Sequence, residues 1–289
     1  MANLRDIRNR IKSVKSTEKI TRAMKMVAAA KLRRAQEAAT GSTPYQKKID
    51  ALLRELSQTV TGDVHPFLHQ SDVKKRLLVI FSSDRGLCGG FNNNLFKQVH
   101  KNLRDSPVET DVVLIGKKAH GQFANKKYHV EIKVEDFWLQ FDHPHAKKLF
   151  DQIGRLFLEN KYQQVDIAYN DFVSVMSQVP SIKTLLPMTK AETKTAQASQ
   201  ASPYKNYHFK PSEKAILQSL IPKALMSTFY GACLHSLAGE YGARMTSMDS
   251  ASRNAGDMID SLTLKMNRVR QAAITSELVE IISGAEAIS

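Results

Sequence analysis

Only two of the 289 residues are cysteine, Cys88 and Cys233, and neither has a second cysteine or a His-spaced cluster beside it. That spacing argues against a disulfide framework and a zinc site, and it suits a reducing compartment. No run approaches the ~18 consecutive apolar residues of a membrane-spanning helix. The opening M-A-N-L-R-D-I-R lacks the apolar core of a secretory signal, and its Asp6 argues against a transit peptide, so a cytosolic chain is expected. Residues 1 to 44 contain no aromatic side chain. The phosphate-binding patterns G-x-x-x-x-G-K-[ST] and G-x-G-x-x-G are both missing.

What is present is positive charge, unevenly placed. Residues 1 to 60 carry 14 basic and 5 acidic side chains, residues 61 to 210 carry 21 and 15, and residues 211 to 289 carry 7 and 8. The basic character is therefore mainly N-terminal, which suits a nucleic acid, an anionic membrane, an acidic protein surface or a solvated helix face.

Both ends are poor in helix breakers. Between Leu4 and Ser57 one glycine and one proline occur, both in the short break A-T-G-S-T-P-Y at 39 to 45, and no proline follows Pro222. The rest of the N-terminal stretch is rich in strong helix formers. Leu4, Ile7, Ile11 and Val14 step as a coiled-coil seam, which slips near Ser16 to Glu18 and resumes through Ile20, Met24 and Val27. At the other end Ala255, Ile259, Leu262, Met266, Val269 and Ala273 form a second seam. It jumps by one residue to Ile274, Leu278, Ile281 and Ala285. Residues 223 to 287 suit one helix on the order of 95 Å long. Winding the two terminal helices together antiparallel buries both seams.

Between them R-L-L-V-I-F (76 to 81), D-V-V-L-I-G (111 to 116) and V-D-I-A-Y (165 to 169) are expected strands, and 91 to 104, 117 to 125 and 144 to 160 expected helices. The fold class is α/β: a long antiparallel coiled coil with an inserted, Rossmann-like α/β domain covered on both faces. The expected divisions are 1–60, 72–210 and 211–289. Ser212 is the expected N-cap of the last helix.

Candidate chemistry is thin. S-S-D-R-G-L-C-G-G-F-N (82 to 92) leaves a strand and enters a helix, a context that holds phosphate. Without a phosphate motif its glycines are read as turn-formers. Cys88 has no His near it in sequence to act as a base, so it is read as a packing residue. His143, His145, Asp136 and Asp142 lie close together but lack metal-ligand spacing. No metal or cofactor is expected.

Four segments are more specific: residues 11 to 36, 82 to 92, A-R-M-T-S-M-D-S-A-S-R-N-A (243 to 255) and N-R-V-R-Q-A-A-I-T-S-E-L-V-E-I-I-S-G-A-E-A (267 to 287). In order and content they resemble the γ subunit of F-type ATP synthases, bacterial type. The resemblance implies a non-catalytic central-stalk rotor. Its coil would turn inside a ring of three α and three β subunits, with ε and the membrane c ring at its foot, peripheral to the cytoplasmic face of the cell membrane. It implies β contacts at Met24, Lys25, Arg244, Arg270, Gln271, Thr275 and Glu277. It also implies an apolar bearing tip at Leu278, Ile281, Ile282 and Ala285, and an ε and c-ring contact at Tyr207. Two other readings stay open on the residues alone: a basic coiled-coil module for nucleic acid, and a nucleotide-binding α/β enzyme.

Overall fold

The computed structural model describes residues 4–59, 64–69, 71–123, 128–139, 141–188, 210 and 212–286. The chain divides into two compact units. One is made of residues 1–29 with 244–289, the other of residues 30–243. Helices α1 (Leu4–Thr59) and α5 (Glu213–Glu286) each contribute to both.

The first unit is helix against helix and contains no aromatic residue. On α1 the seam residues Leu4, Ile7, Ile11, Val14, Glu18, Thr21, Lys25 and Ala28 are covered, an unbroken alternation of three and four, with Met24 and Ala29 half-buried beside it. This corrects the expected slip near Ser16. The seam continues through polar residues, and Ile20 and Val27 stand exposed. Thr21 fits the seam because its hydroxyl donates to the carbonyls of Thr17 and Glu18, 3.0 Å away in each case. The facing seam on α5 runs through Met248, Ser252, Ala255, Ile259, Leu262, Met266 and Val269. There it ends, and Ala273 and Ile274 are both exposed rather than continuing it.

The second unit is built on a five-stranded sheet in the order β3-β2-β1-β4-β5. Strands β1 (Lys75–Phe81), β2 (Glu109–Ile115), β3 (Val130–Val134) and β4 (Gln164–Phe172) are parallel, and β5 (Gln178–Leu186) runs antiparallel beside β4. Side chains alternate across the sheet. Leu78, Ile80, Val112, Leu114 and Ala168 face α2 (Phe91–Asp105) and α3 (Lys117–Phe123). Leu77, Val79, Phe81, Val113, Ile115 and Ile167 face α4 (His143–Leu158) and the parts of α1 and α5 that belong to this unit. The sheet is therefore covered on both faces, which explains why its inner strands are continuous apolar runs.

Sequence reading missed β3 and β5, the two edge strands. Both are half-exposed, and β5 carries Pro180, which an edge strand tolerates. The expected break at 39 to 45 is also corrected, because α1 passes through Gly41 and Pro44 without interruption. The hydroxyls of Ser42 and Thr43 donate to the Ala39 carbonyl at 2.8 and 2.9 Å, side-chain bonds within the turn that leads into Pro44. At the start of α5, Ser212 Oγ accepts from the Ala215 amide at 3.2 Å, as an N-cap does.

Candidate functional site

In open α/β sheets ligands bind outside the carboxyl ends of the strands, where the strand order reverses. Here that point lies between β1 and β4, and the glycine-rich turn after β1 borders it. The turn is tied to itself and to the sheet. The Ser83 amide donates to Asn92 Oδ1 at 3.0 Å, and Asn92 Nδ2 donates to Ser83 Oγ at 2.8 Å. Ser82 Oγ donates to the Ile115 carbonyl and accepts from the Ala119 amide. Trp138 Nε1 donates to the Ser82 carbonyl at 2.6 Å. Asp84 Oδ1 accepts from the amides of Lys117 and Asp136. Two residues of the turn have positive φ, Gly89 at 55° and, without glycine's freedom, Leu87 at 63°.

The crevice itself is filled by α5. A Cβ on Gly239 would lie 3.2 Å from Phe91 Cε2 and 3.4 Å from Gln178 Cγ, and one on Gly242 would lie 3.3 Å from Phe172 Cε2. Cys88 packs in a small buried cluster with Phe91 and Ala243. Cys233 is wholly buried, and burial pushes its thiol well above the ordinary range. Neither sulfur is placed as a nucleophile.

The histidine-rich segment is a helix start. Asp142 caps α4, accepting from the His145 amide at 2.9 Å and lying 2.6 Å from His145 Nδ1. The His145 amide is the main reason its carboxyl sits below the usual range. Among the described residues one group has metal-ligand proximity: Asp111, His129 and Glu131, whose ligand atoms lie within 4.8 Å of one another. Tyr162 donates to both carboxylates, Lys75 Nζ is 2.9 Å from Asp111, and Lys161 Nζ is 3.7 Å from Glu131. The cluster is thus compensated by its own cations.

The remaining candidates lie in the first unit. Lys25 Nζ sits 2.5 Å from Asp249 Oδ1, and Met24 beside it is half-buried. With Asp249 opposite Lys25, antiparallel register carries Leu4 to the neighbourhood of Arg270. Beyond that point every described side chain of α5 from Arg270 to Ala285 is exposed. The bare stretch is about 24 Å long at ~1.5 Å per residue. Gln271, Thr275, Leu278 and Ile282 follow one line along it, and Arg270, Ile274, Glu277 and Ile281 follow the next. The Thr275 hydroxyl donates to the Gln271 carbonyl at 3.0 Å. Leu278, Ile281 and Ile282 expose 54, 68 and 58% of their surface. The α5 seam through Ile274, Leu278, Ile281 and Ala285 was expected to be buried against the N-terminal helix, but among the described residues these four side chains are exposed. Arg244 is buried, and Tyr207 lies outside the described residues.

A family model described as ATP synthase matches residues 3–288. The chain is 42% identical over 291 aligned residues to the ATP synthase gamma chain of Trichlorobacter lovleyi, covering 100% of this chain and 99% of that one. It belongs to the ATP synthase γ family. The ATP synthase gamma chain of Pelotomaculum thermopropionicum is 38% identical, with both chains covered in full. The γ-family fold extends to more distant chains in solved structures. One, in the Euglena gracilis mitochondrial ATP synthase, matches at a TM-score of 0.67 and 18% identity, covering 99% of this chain and 94% of that one. Another, in the Tetrahymena thermophila mitochondrial ATP synthase, matches at 0.60 and 23% identity, covering 81 and 99%. Membership in this family removes the nucleic-acid reading. Among the described residues no helix is long and apolar enough to cross a membrane.

Sequence reading missed Asp249 as the partner of Lys25, although a carboxylate on the opposite seam was the available signal. It also missed Gly239 and Gly242, two glycines three apart in a helical stretch.

Proposed function

We propose that this chain is the rotating central shaft of a bacterial ATP synthase. It has no active site of its own and sits at the cytoplasmic face of the cell membrane without crossing it. The observation that carries the reading is the bare end of α5, a single helix with Leu278, Ile281, Ile282 and Val279 turned outward on more than one face. An apolar helix end of this length needs an enclosing surface. A smooth sleeve formed by α and β subunits supplies one without directional bonds that would resist turning. Below it, Arg270, Gln271, Thr275 and Glu277 form the polar contact with β, and Met24 and Lys25 a second contact nearer the foot. Arg244 is assigned to β on resemblance alone, since it is buried here. Tyr207 is assigned to ε and the c ring. The divisions 1–60, 72–210 and 211–289 are proposed as N-terminal helix, central domain and C-terminal helix, the two helices forming the shaft over residues 1–29 and 244–289 and entering the foot over the rest.

Turning such a shaft biases each β subunit in turn by differential contact, without touching nucleotide. The filled crevice at the end of β1 supports a non-catalytic role. The test is direct. The isolated chain hydrolyses no ATP, and adding it to purified α and β subunits produces a stable complex that does. Substantial ATPase activity of the chain alone would overturn the proposal.

A further inference from the structure

Only two stretches of chain pass between the units, α1 at Ala29 to Ala30 and α5 at Ala243 to Arg244. Torque carried along these helices requires each to be held against turning inside the sheet-containing unit. From Ala232 to Ala243, α5 is buried around most of its circumference, with Cys233, Leu234, Ser236, Ala238 and Glu240 all enclosed. Its two glycines mark the closest approach. Glycine is unfavourable inside a helix, so its presence asks for a packing reason. At Gly256 and Gly284 an added Cβ would meet nothing within 4 Å, whereas at Gly239 and Gly242 it would press on Phe91, Phe172 and Gln178.

We propose that Gly239 and Gly242 seat α5 in the crevice of the sheet as the joint through which the foot drives the shaft. This rests on the rotor reading. The wall opposite the glycines is braced. Gln178 Nε2 donates to the Val175 carbonyl at 2.8 Å and to the Ser174 carbonyl at 3.1 Å, and Asn170 Nδ2 donates to the Phe91 carbonyl at 3.2 Å. Gln178 touches both glycine positions, with Cγ toward one and Nε2 toward the other. A flat helix face wedged between two aromatic rings and this side chain resists rotation about the helix axis by shape. α1 follows α5 at the same level, since Lys31 Nζ lies 5.4 Å from the Tyr241 ring centroid.

The test uses the full chain assembled with its partners in proteoliposomes, measuring ATP hydrolysis and ATP-driven proton uptake together, with thermal melting of each variant. Gly242→Val, which adds bulk, and Gln178→Ala, which removes the wall without adding any, each leave hydrolysis near wild type. Each lowers protons moved per ATP about threefold, the size of change that residues carrying coupling produce. An unchanged ratio in folded Gly242→Val and Gln178→Ala overturns the joint. So does a loss of hydrolysis and uptake in equal proportion, which marks a purely structural role. If Gly242→Val fails to fold, Gln178→Ala decides alone. A wild-type preparation that hydrolyses ATP without moving protons removes the rotor reading, and this proposal with it.

Discussion

Lys25 and Asp249 meet across the two helices of the first unit, 224 positions apart in sequence and 2.5 Å apart between Nζ and Oδ1. Arg253 adds to the same carboxylate from one turn away, at 3.1 Å. The hydrogen bond from Lys25 is the main reason the Asp249 carboxyl sits below its ordinary range.

A carboxyl whose folded value is depressed stabilises the folded state above its unfolded value, and the contribution disappears as pH falls through the folded one. Asp249→Asn is therefore expected to melt slightly below wild type at pH 7, the loss being small because both partners are partly exposed. The two melting curves converge as pH falls below about 4. Circular dichroism melts at pH 7 and pH 3 check this, and a difference at pH 3 no smaller than that at pH 7 contradicts it.

The described side chains at the end of α5 are exposed from Arg270 to Ala285. Removing residues 272–289 is expected to leave the melting temperature of the free protein within about 2 °C of full length. A larger drop would show that the tip folds back onto the chain.

Gly116 has φ +88°, and a Cβ there would stand 2.3 Å from the Ser82 carbonyl oxygen. Both the dihedral and the contact forbid a side chain, because the Ser82 backbone is fixed by the β1–β2 pairing. Gly116→Ala is expected to destabilise by about 3 kcal/mol or more, measured by urea unfolding.

Both thiols are enclosed, Cys88 at 2% exposure and Cys233 at none. A thiol reagent is expected to label neither at pH 8 in the native chain and both in denaturant. Rapid native labelling of Cys233 would show that α5 opens readily at that level.

How far the sequence disclosed this depends on which signal each element carried. The inner strands β1, β2 and β4 were legible because burial on both faces makes them continuous apolar runs. The edge strands β3 and β5 were not, since half-exposure mixes Lys183 and Thr184 or Glu131 and Lys133 into the pattern. The α1 seam was misread at Glu18 because the eye follows apolar residues. Thr21 holds that position with hydroxyl bonds to its own helix, and the apolar Ile20 is left outside. Gly41 and Pro44 suggested a break that tertiary packing of Ile49 and Leu53 overrides. Of the candidate contact residues, those from Arg270 onward could be marked by resemblance. Their exposure beyond the end of α1 required the register set by Lys25 and Asp249.

Observation of single assembled heads tests the central claim most directly. With α and β subunits fixed to a surface and a bead attached to the sheet-containing unit of this chain, the account predicts stepwise, one-directional rotation on addition of ATP. Hydrolysis by the same heads with the bead stationary would contradict it.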